Sequence, residues 1–333
     1  MTASTRPAVL ILGANGRLGL AAAQAFDQAG WRVLAQVRRE PAPGMPARAL
    51  LLRAAVTDTT LLAAQAAGAR VVVHALNPVY TRWAQDALPL LAAGIGVAER
   101  LRARLLLPGN VYNYGAAIGL DMTEDAPQAA HTEHGHIRVA MEKRLAARCA
   151  TGALRATVLT AGDFFGSGTG SWFDQAIVKS IRHGKLVYPG PLDLPHAWAY
   201  LPDLARTFAL LAARESHGGG AAFERLHFRG HSLTGGALLA ALDRVAGAMG
   251  LRPPQGFRHG SVPWRVMRVV GVVVPAWRAL ARMSYLWHTP HSLDEGRLRQ
   301  TLGNVPHTPL DLALRDALHD LLPAQARAEL RGT

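Results

Sequence analysis

The first apolar run of the chain, Ala8 to Leu12, ends at once in Gly13-Ala14-Asn15-Gly16-Arg17-Leu18-Gly19. An amphipathic Ala/Leu segment from Leu20 to Ala29 follows, then Gly30 and a second apolar run from Trp31 to Val37. Strand, glycine turn, helix and strand in immediate succession predict a βαβ unit. Ala49–Leu52, Arg70–His74, Arg104–Leu107 and Ala156–Thr160 read as further strands, and Trp83–Arg102 and Ile137–Arg148 as helices between them. This alternation predicts a Rossmann-type α/β fold, a doubly wound parallel sheet with helices on both faces.

After Gly162 the texture changes. Gly and Pro cluster between Gly166 and Pro195, and the regular alternation stops. Helical runs then appear at Leu201–Arg214, Leu233–Met249, Pro263–Arg282 and Pro309–Leu321, with one strand candidate at Arg225–Phe228. The expected organisation is a nucleotide-binding core over residues 1–162 and a smaller, mostly helical C-terminal cap over 163–333. Segments such as 196–214 are expected to return to the core.

Composition narrows the setting. The chain has 333 residues, 50% of them hydrophobic, enough for a well-buried core. The lone Cys149 excludes a disulfide scaffold and any multi-cysteine metal centre. Neither a signal-peptide core at the start nor an apolar run of about 18 residues is present, so a cytoplasmic setting without stable membrane insertion is expected. The net charge of +13 invites a polyanionic partner. Yet the basic residues are nearly all arginine and scattered, with no run longer than a pair, so no nucleic-acid partner is expected. Each arginine has to be judged by its position.

The glycine run fits a dinucleotide. Gly13 allows a tight turn, Gly16 lets backbone approach a diphosphate, and Gly19 lets the helix pack closely on the strand. Asn15, Arg17 and Leu18 complete that cradle at the helix N-terminus, where free N–H groups meet the phosphates. At the end of the second strand an acid would bind the ribose 2′-hydroxyl of NAD, whereas arginine accommodates a 2′-phosphate. This chain has Arg38 and Arg39 there, followed by Glu40. The arginines favour NADP(H), and Glu40 keeps NAD open.

Taken together these segments resemble the short-chain dehydrogenase/reductase superfamily, in its extended and atypical branch of NAD-dependent epimerase/dehydratase-like proteins. The resemblance rests on the Gly13/Gly16/Gly19 spacing, on Val56-Thr57-Asp58, and on His74-Ala75-Leu76-Asn77-Pro78. It continues through Leu107–Gly115 with its Tyr114-Gly115 end, Ala161–Gly166 and His196–Ala205. It implies that Asp58 contacts the adenine and that Ala75, Leu76 and Asn77 lie along the cofactor. It also implies a catalytic Ser or Thr and a Tyr-x-x-x-Lys pair, in which Lys tunes the Tyr and holds the ribose.

This chain has no Tyr-x-x-x-Lys. Counting from Tyr114 puts Asn110 at the Ser/Thr position, and His134 and Arg138 at those of Tyr and Lys. Asn110 can orient a substrate oxygen, His134 can supply a proton, and Arg138 can anchor the ribose; Tyr112 and Tyr114 are alternative proton donors. The expected function is therefore an oxidoreductase moving hydride to or from a small carbonyl or alcohol substrate with a substituted catalytic set. The alternative is a catalytically silent NADP(H)-binding sensor or regulator.

Three weaker patterns remain. His131, His134 and His136 invite a metal, but their spacing is not that of a helical zinc site, so a chance cluster is expected. Arg265, Arg268, Arg278 and Arg282 flank Val269–Val274, a pattern compatible with a membrane surface or an oligomer contact, leaving room for a homodimer. The expectation is an ordinary helix packed on the cap and bent at Pro275. Phe164, Trp172, Phe173, Trp198 and Tyr200 are candidates for a substrate cavity or, as is commoner for cap aromatics, for its core.

Overall fold

The computed structural model describes residues 6–215 and 219–322. Six strands of the first half alternate with helices: β1 Ala8–Leu12, α1 Arg17–Gln28, β2 Arg32–Gln36, β3 Leu50–Leu52, α2 Thr59–Gln65, β4 Ala69–His74, α3 Trp83–Leu101, β5 Arg104–Asn110, α4 Glu133–Ala150 and β6 Arg155–Ala161. The second half adds β7 Asp163–Phe165, β8 Lys185–Tyr188, β9 Pro195–Tyr200, α5 Leu201–Glu215, β10 Phe223–Phe228, β11 His231–Thr234, α6 Gly235–Ala248 and β12 Arg258–Ser261. It ends with α7 Trp264–Val270, α8 Pro275–Arg282, α9 Gly296–Leu302 and α10 Leu310–Leu321.

The main sheet is parallel throughout, in the order β10-β6-β5-β4-β1-β2-β3. Its strands alternate between two buried faces, as the two-residue repeat of a strand requires. Val9 and Ile11 pack with Phe26 of α1 and with Leu204 and Phe208 of α5. Leu10 and Leu12 pack on the other face with Leu91 of α3 and Leu145 of α4. Strand order reverses direction at β1, between β4 and β2. The crevice beyond the carboxyl ends of β1 and β4 is where open α/β sheets bind ligands.

The second half contains more strand than the sequence predicts. In place of one strand after residue 162 there are six among the described residues, β7 to β12. β10 joins the main sheet, β11-β9-β7 form a small mixed sheet, and β12-β8 form a parallel pair. These strands run three to six residues and are interrupted by Gly and Pro, too short to show a clear period. Trp198, Phe173 and Tyr200 are core residues here, packed with Phe165 and Leu242, whereas Phe164 and Trp172 are partly buried.

The run from Pro263 to Arg282 is two helices rather than one bent helix. Pro275, lacking an N–H to continue α7, starts α8 at its first turn. Nor is the segment packed as an ordinary cap helix, because most of its valines are exposed.

A cavity of about 960 Å³ lies at the amino-terminal edge of the main sheet, opposite the glycine loop. It is lined by Arg6, Arg32, Arg48, Arg70 and Arg102 together with Asp27. Of these, Arg102 is the C-cap residue of α3, where a helix carboxyl end favours positive charge, and Arg48 pairs with Asp27.

Candidate active site

The glycine loop leaves β1 with Gly13 at φ +76°, a backbone conformation that favours glycine. A Cβ there would also press on Leu76 Cδ2 at 3.0 Å and on the Ala75 carbonyl at 3.2 Å, so the loop lies against the exit of β4. At Gly19 a Cβ would collide with the Gly13 carbonyl and reach within 2.8 Å of Ala14 Cα. Gly16 is the N-cap of α1, and no side chain caps this helix. The first N–H groups of α1, at Arg17 and Leu18, therefore keep the orphan donors of a helix start. A loop held this tightly, ending in uncapped donors at the β1/β4 crevice, fits a dinucleotide diphosphate.

Other residues hold the cradle in shape. Gln36, buried at the end of β2, accepts from Gly13 N through Oε1 (3.1 Å) and donates to the Ala54 carbonyl through Nε2 (3.1 Å). Asn15 clamps the loop after β2, donating to the Glu40 carbonyl (2.8 Å) and accepting from Ala42 N (2.9 Å). Arg17 reaches across to the other half of the molecule and donates to the Gly166 carbonyl (2.6 Å). Burial lowers its pKa, with Asp174 acting in the opposite direction.

Arg38 and Arg39 follow β2 and are exposed. Glu40 is engaged by Arg53 at 2.9 Å, whereas neither Arg38 nor Arg39 has an ion pair among the described residues. Asp58 caps α2, accepting from Leu61 N at 3.0 Å. Ala75 and Leu76 are half-buried beside Gly13, and Asn77 is exposed.

The second cluster is built where β5 ends and α4 begins. Asn110, the last residue of β5, accepts from Tyr112 N at 3.1 Å and so caps the short helical turn that carries Tyr112. Arg138 donates to the Pro108 carbonyl at 3.0 Å, and its guanidinium lies 4.8 Å from the Trp83 ring centroid. Burial lowers the Arg138 pKa, while Tyr112 and Glu142 favour its charge. Its Nε is buried without a partner, leaving unspent donor capacity beside the end of β5. Tyr112 and Tyr80 are both half-buried and pack against the same small core around Tyr114. The Tyr112 pKa is raised, first by burial and then by Asp163, so it remains a protonated donor at neutral pH.

His134 is differently disposed. Its Nε2 lies 3.1 Å from the Tyr80 carbonyl, and its ring stacks on Tyr80 at 4.1 Å between centroids. Burial lowers its pKa, favouring the neutral ring. With Tyr80, Trp83, Arg278 and Arg282 it lines a cavity of about 200 Å³. Tyr114 is removed from any reaction, for its hydroxyl bonds His227 Nε2 at 2.7 Å in the core. The neighbouring histidines diverge: His131 Nδ1 accepts from Ala116 N at 3.2 Å, and His136 is exposed.

Several contributors escape sequence reasoning. Asp163 at the start of β7 pairs with His196 of β9, Oδ2 to Nε2 at 2.8 Å. His196 is buried, stacked on Trp287 at 4.3 Å and edge-on to His291. Asp163 also raises the pKa values of Tyr80, Tyr112 and Tyr285, although burial contributes more to each. Gly135 lets α4 reach the site, since a Cβ there would come within 2.6 Å of the Tyr112 carbonyl. The available signals were a carboxylate straight after the Gly162 exit and a polar Gln36 within an apolar strand.

Comparison with known proteins agrees with this geometry. A sequence profile of the NAD dependent epimerase/dehydratase family matches residues 9–223. No curated protein matches the chain in sequence. Among solved structures, the UDP-glucose-4-epimerase from Stenotrophomonas maltophila, with bound NAD and formylated UDP-arabinopyranose, superposes with a TM-score of 0.73 at 16% identity, covering 98% of this chain and 100% of its own. The UDP-glucose 4-epimerase from Brucella ovis, in complex with NAD, gives 0.73 at 15% identity, covering 95% and 99%. That from Thermotoga maritima, with UDP-glucose, gives 0.71 at 12%, covering 94% and 98%. At such identities the structures establish a shared fold, and the profile match over most of the chain establishes more: this protein belongs to the NAD dependent epimerase/dehydratase family.

Proposed function

We propose that the protein is an NADP(H)-dependent oxidoreductase acting on a small carbonyl or alcohol substrate. The observation that carries the reading is the pairing of a tightly held glycine cradle with a half-buried cluster of Tyr112, Tyr80 and Arg138 at the end of β5. When bound, the cofactor supplies or accepts hydride at its nicotinamide ring. The protein positions the reactants and moves a proton.

Gly13, Gly16 and Gly19 shape the diphosphate site, and the N–H groups of Arg17 and Leu18 donate to it. Asn15 keeps the loop after β2 in place, with Arg38 and Arg39 at its start. Guanidinium binds a 2′-phosphate bidentately, and the engagement of Glu40 with Arg53 leaves no competing carboxylate for that pair. Asp58 borders the adenine, and Ala75, Leu76 and Asn77 line the path towards the nicotinamide. Arg138 anchors the nicotinamide ribose through the donors left after its bond to Pro108.

Asn110 orients the substrate oxygen with its amide N–H groups, because its Oδ1 is already committed to Tyr112 N. Tyr112 donates the proton as the carbonyl is reduced and is reprotonated through Tyr80. His134 is a less suitable donor than Tyr112, since its Nε2 is held at the Tyr80 carbonyl and its neutral form is favoured. It supports the Tyr80 end of the relay instead.

Isothermal titration with NADPH and NADH, followed by turnover with aldehydes, ketones and nucleotide sugars, tests the reading. It expects NADPH to bind more tightly and at least one carbonyl to be reduced. Equal binding of NADH would remove the role of Arg38 and Arg39. Tight NADPH binding without turnover of any compound would favour the silent sensor.

A further inference from the structure

The hairpin formed by α7 and α8 has a buried base and an apolar, exposed tip. Trp264, Ala281 and Met283 are buried at its base, and Trp264 Nε1 donates to the Pro189 carbonyl at 2.6 Å. Two hydrogen bonds close the turn: Arg278 Nε donates to the Gly271 carbonyl at 2.8 Å, and its Nη2 donates to the Val272 carbonyl. A Cβ at Gly271 would come within 2.9 Å of Arg278 N, so the two helices meet closely there.

Beyond this base the side chains are of the wrong kind for water. Val269, Val272 and Val273 are 73%, 70% and 78% exposed, with Val266 and Trp277 beside them at 52% and 40%. Exposed apolar side chains gathered on one hairpin mark an interaction surface rather than scattered surface apolarity. Its charge is one-sided as well. No Asp or Glu occurs between Asp243 and Asp294, while Arg265 and Arg268 are exposed and have no acidic partner among the described residues.

We propose that this hairpin docks on an anionic lipid surface, with the valine tip and Trp277 in the interface and Arg265 and Arg268 on the headgroups. Shallow apolar insertion and cationic contact reinforce each other in this mode, and neither requires a spanning helix. Among the described residues no helix is long and apolar enough to cross a membrane, so the attachment is peripheral. A second copy of the chain is a poorer occupant. A two-fold contact sets the same patch against itself and brings arginine to arginine with no acid between. The proposal stands apart from the catalytic reading, although α8 also walls the cavity beside His134.

Sedimentation of the full chain with phosphatidylcholine vesicles, with and without phosphatidylglycerol, tests it in the absence of cofactor. Binding is expected to the anionic vesicles only, weakened by salt. Val272→Asp with Val273→Asp abolishes it, and Arg265→Ser with Arg268→Ser lowers the partition coefficient by roughly tenfold or more. All four side chains are exposed, so circular dichroism and melting of both variants should match wild type. No sedimentation with anionic vesicles would overturn the proposal, as would binding that both variants retain. A concentration-dependent dimer broken by the aspartates, without vesicle binding, would assign the patch to a second copy instead.

Discussion

The glycine loop after β1 and the first turns of α4 are both built at the carboxyl edge of one sheet, yet they follow different rules. The loop is specified by backbone: a positive φ at Gly13, a close approach at Gly19 and uncapped donors at the start of α1. No other side chains meet those demands, so the sequence there is nearly fixed. The start of α4 is specified by side-chain chemistry, for which several residues can substitute. In the proposed function Arg138 there donates to a ribose, and Tyr112 on the preceding turn, rather than a residue of α4 itself, supplies the phenol. Backbone requirements constrain a site more narrowly than proton-transfer requirements do.

The comparison is broken most severely at Tyr112. Tyr112→Phe keeps the ring and removes the donor, and kcat should fall by about 100- to 10,000-fold while cofactor affinity is unchanged. Steady-state kinetics beside cofactor titration checks this split. Acid should produce the next largest effect. Burial pushes His74 and His231 down to about 4 and His291 to about 3, from an ordinary value of 6.5. Between those values the unfolded chain binds more protons than the folded one, so stability falls as pH drops from 6.5 towards 4. Below that range the loss levels off. Melting at a series of pH values should record a decline of several kcal/mol, starting from full stability at neutral pH.

Gly19→Val tests the backbone side. The collision with Gly13 and Ala14 should cost about 1–3 kcal/mol of stability in urea unfolding and weaken NADPH more than any substrate. Arg38→Ser should raise the NADPH Kd by roughly tenfold to a hundredfold, leaving NADH unaffected, because a charged hydrogen bond is worth about 1.5–3 kcal/mol. Smallest of all, His134→Gln should lower kcat by less than about tenfold, far short of the range for a general acid. A loss as large as that of Tyr112→Phe would return the proton to His134.

How much of this the sequence disclosed follows the same division. β1 was readable to the residue, and Arg32–Gln36, Ala69–His74 and Trp83–Leu101 nearly so, since each is a continuous apolar or amphipathic run beside glycine. The cap strands were not, because three or four residues such as Asp163–Phe165 or Lys185–Tyr188 carry too little period to separate strand from loop. Asn110, Tyr112 and Arg138 could be nominated by counting from Tyr114. Their neighbours Tyr80, Asp163 and His196 reach the site only through the crossing of distant segments. The break at Pro275 was visible as a bend, but the exposure of the valines before it depends on how α7 is anchored through Trp264.

In the proposed function the substituted cluster at the end of β5 remains a working proton donor beside a bound NADP(H). Rapid mixing of the protein–NADPH complex with reactive carbonyl compounds tests it in a single turnover, read as loss of reduced nicotinamide absorbance. Wild type is expected to show a fast decay, and Tyr112→Phe a decay slowed by at least about a hundredfold at equal cofactor occupancy. Equal decay rates in the two proteins, or no decay in wild type with every carbonyl tried, would contradict it.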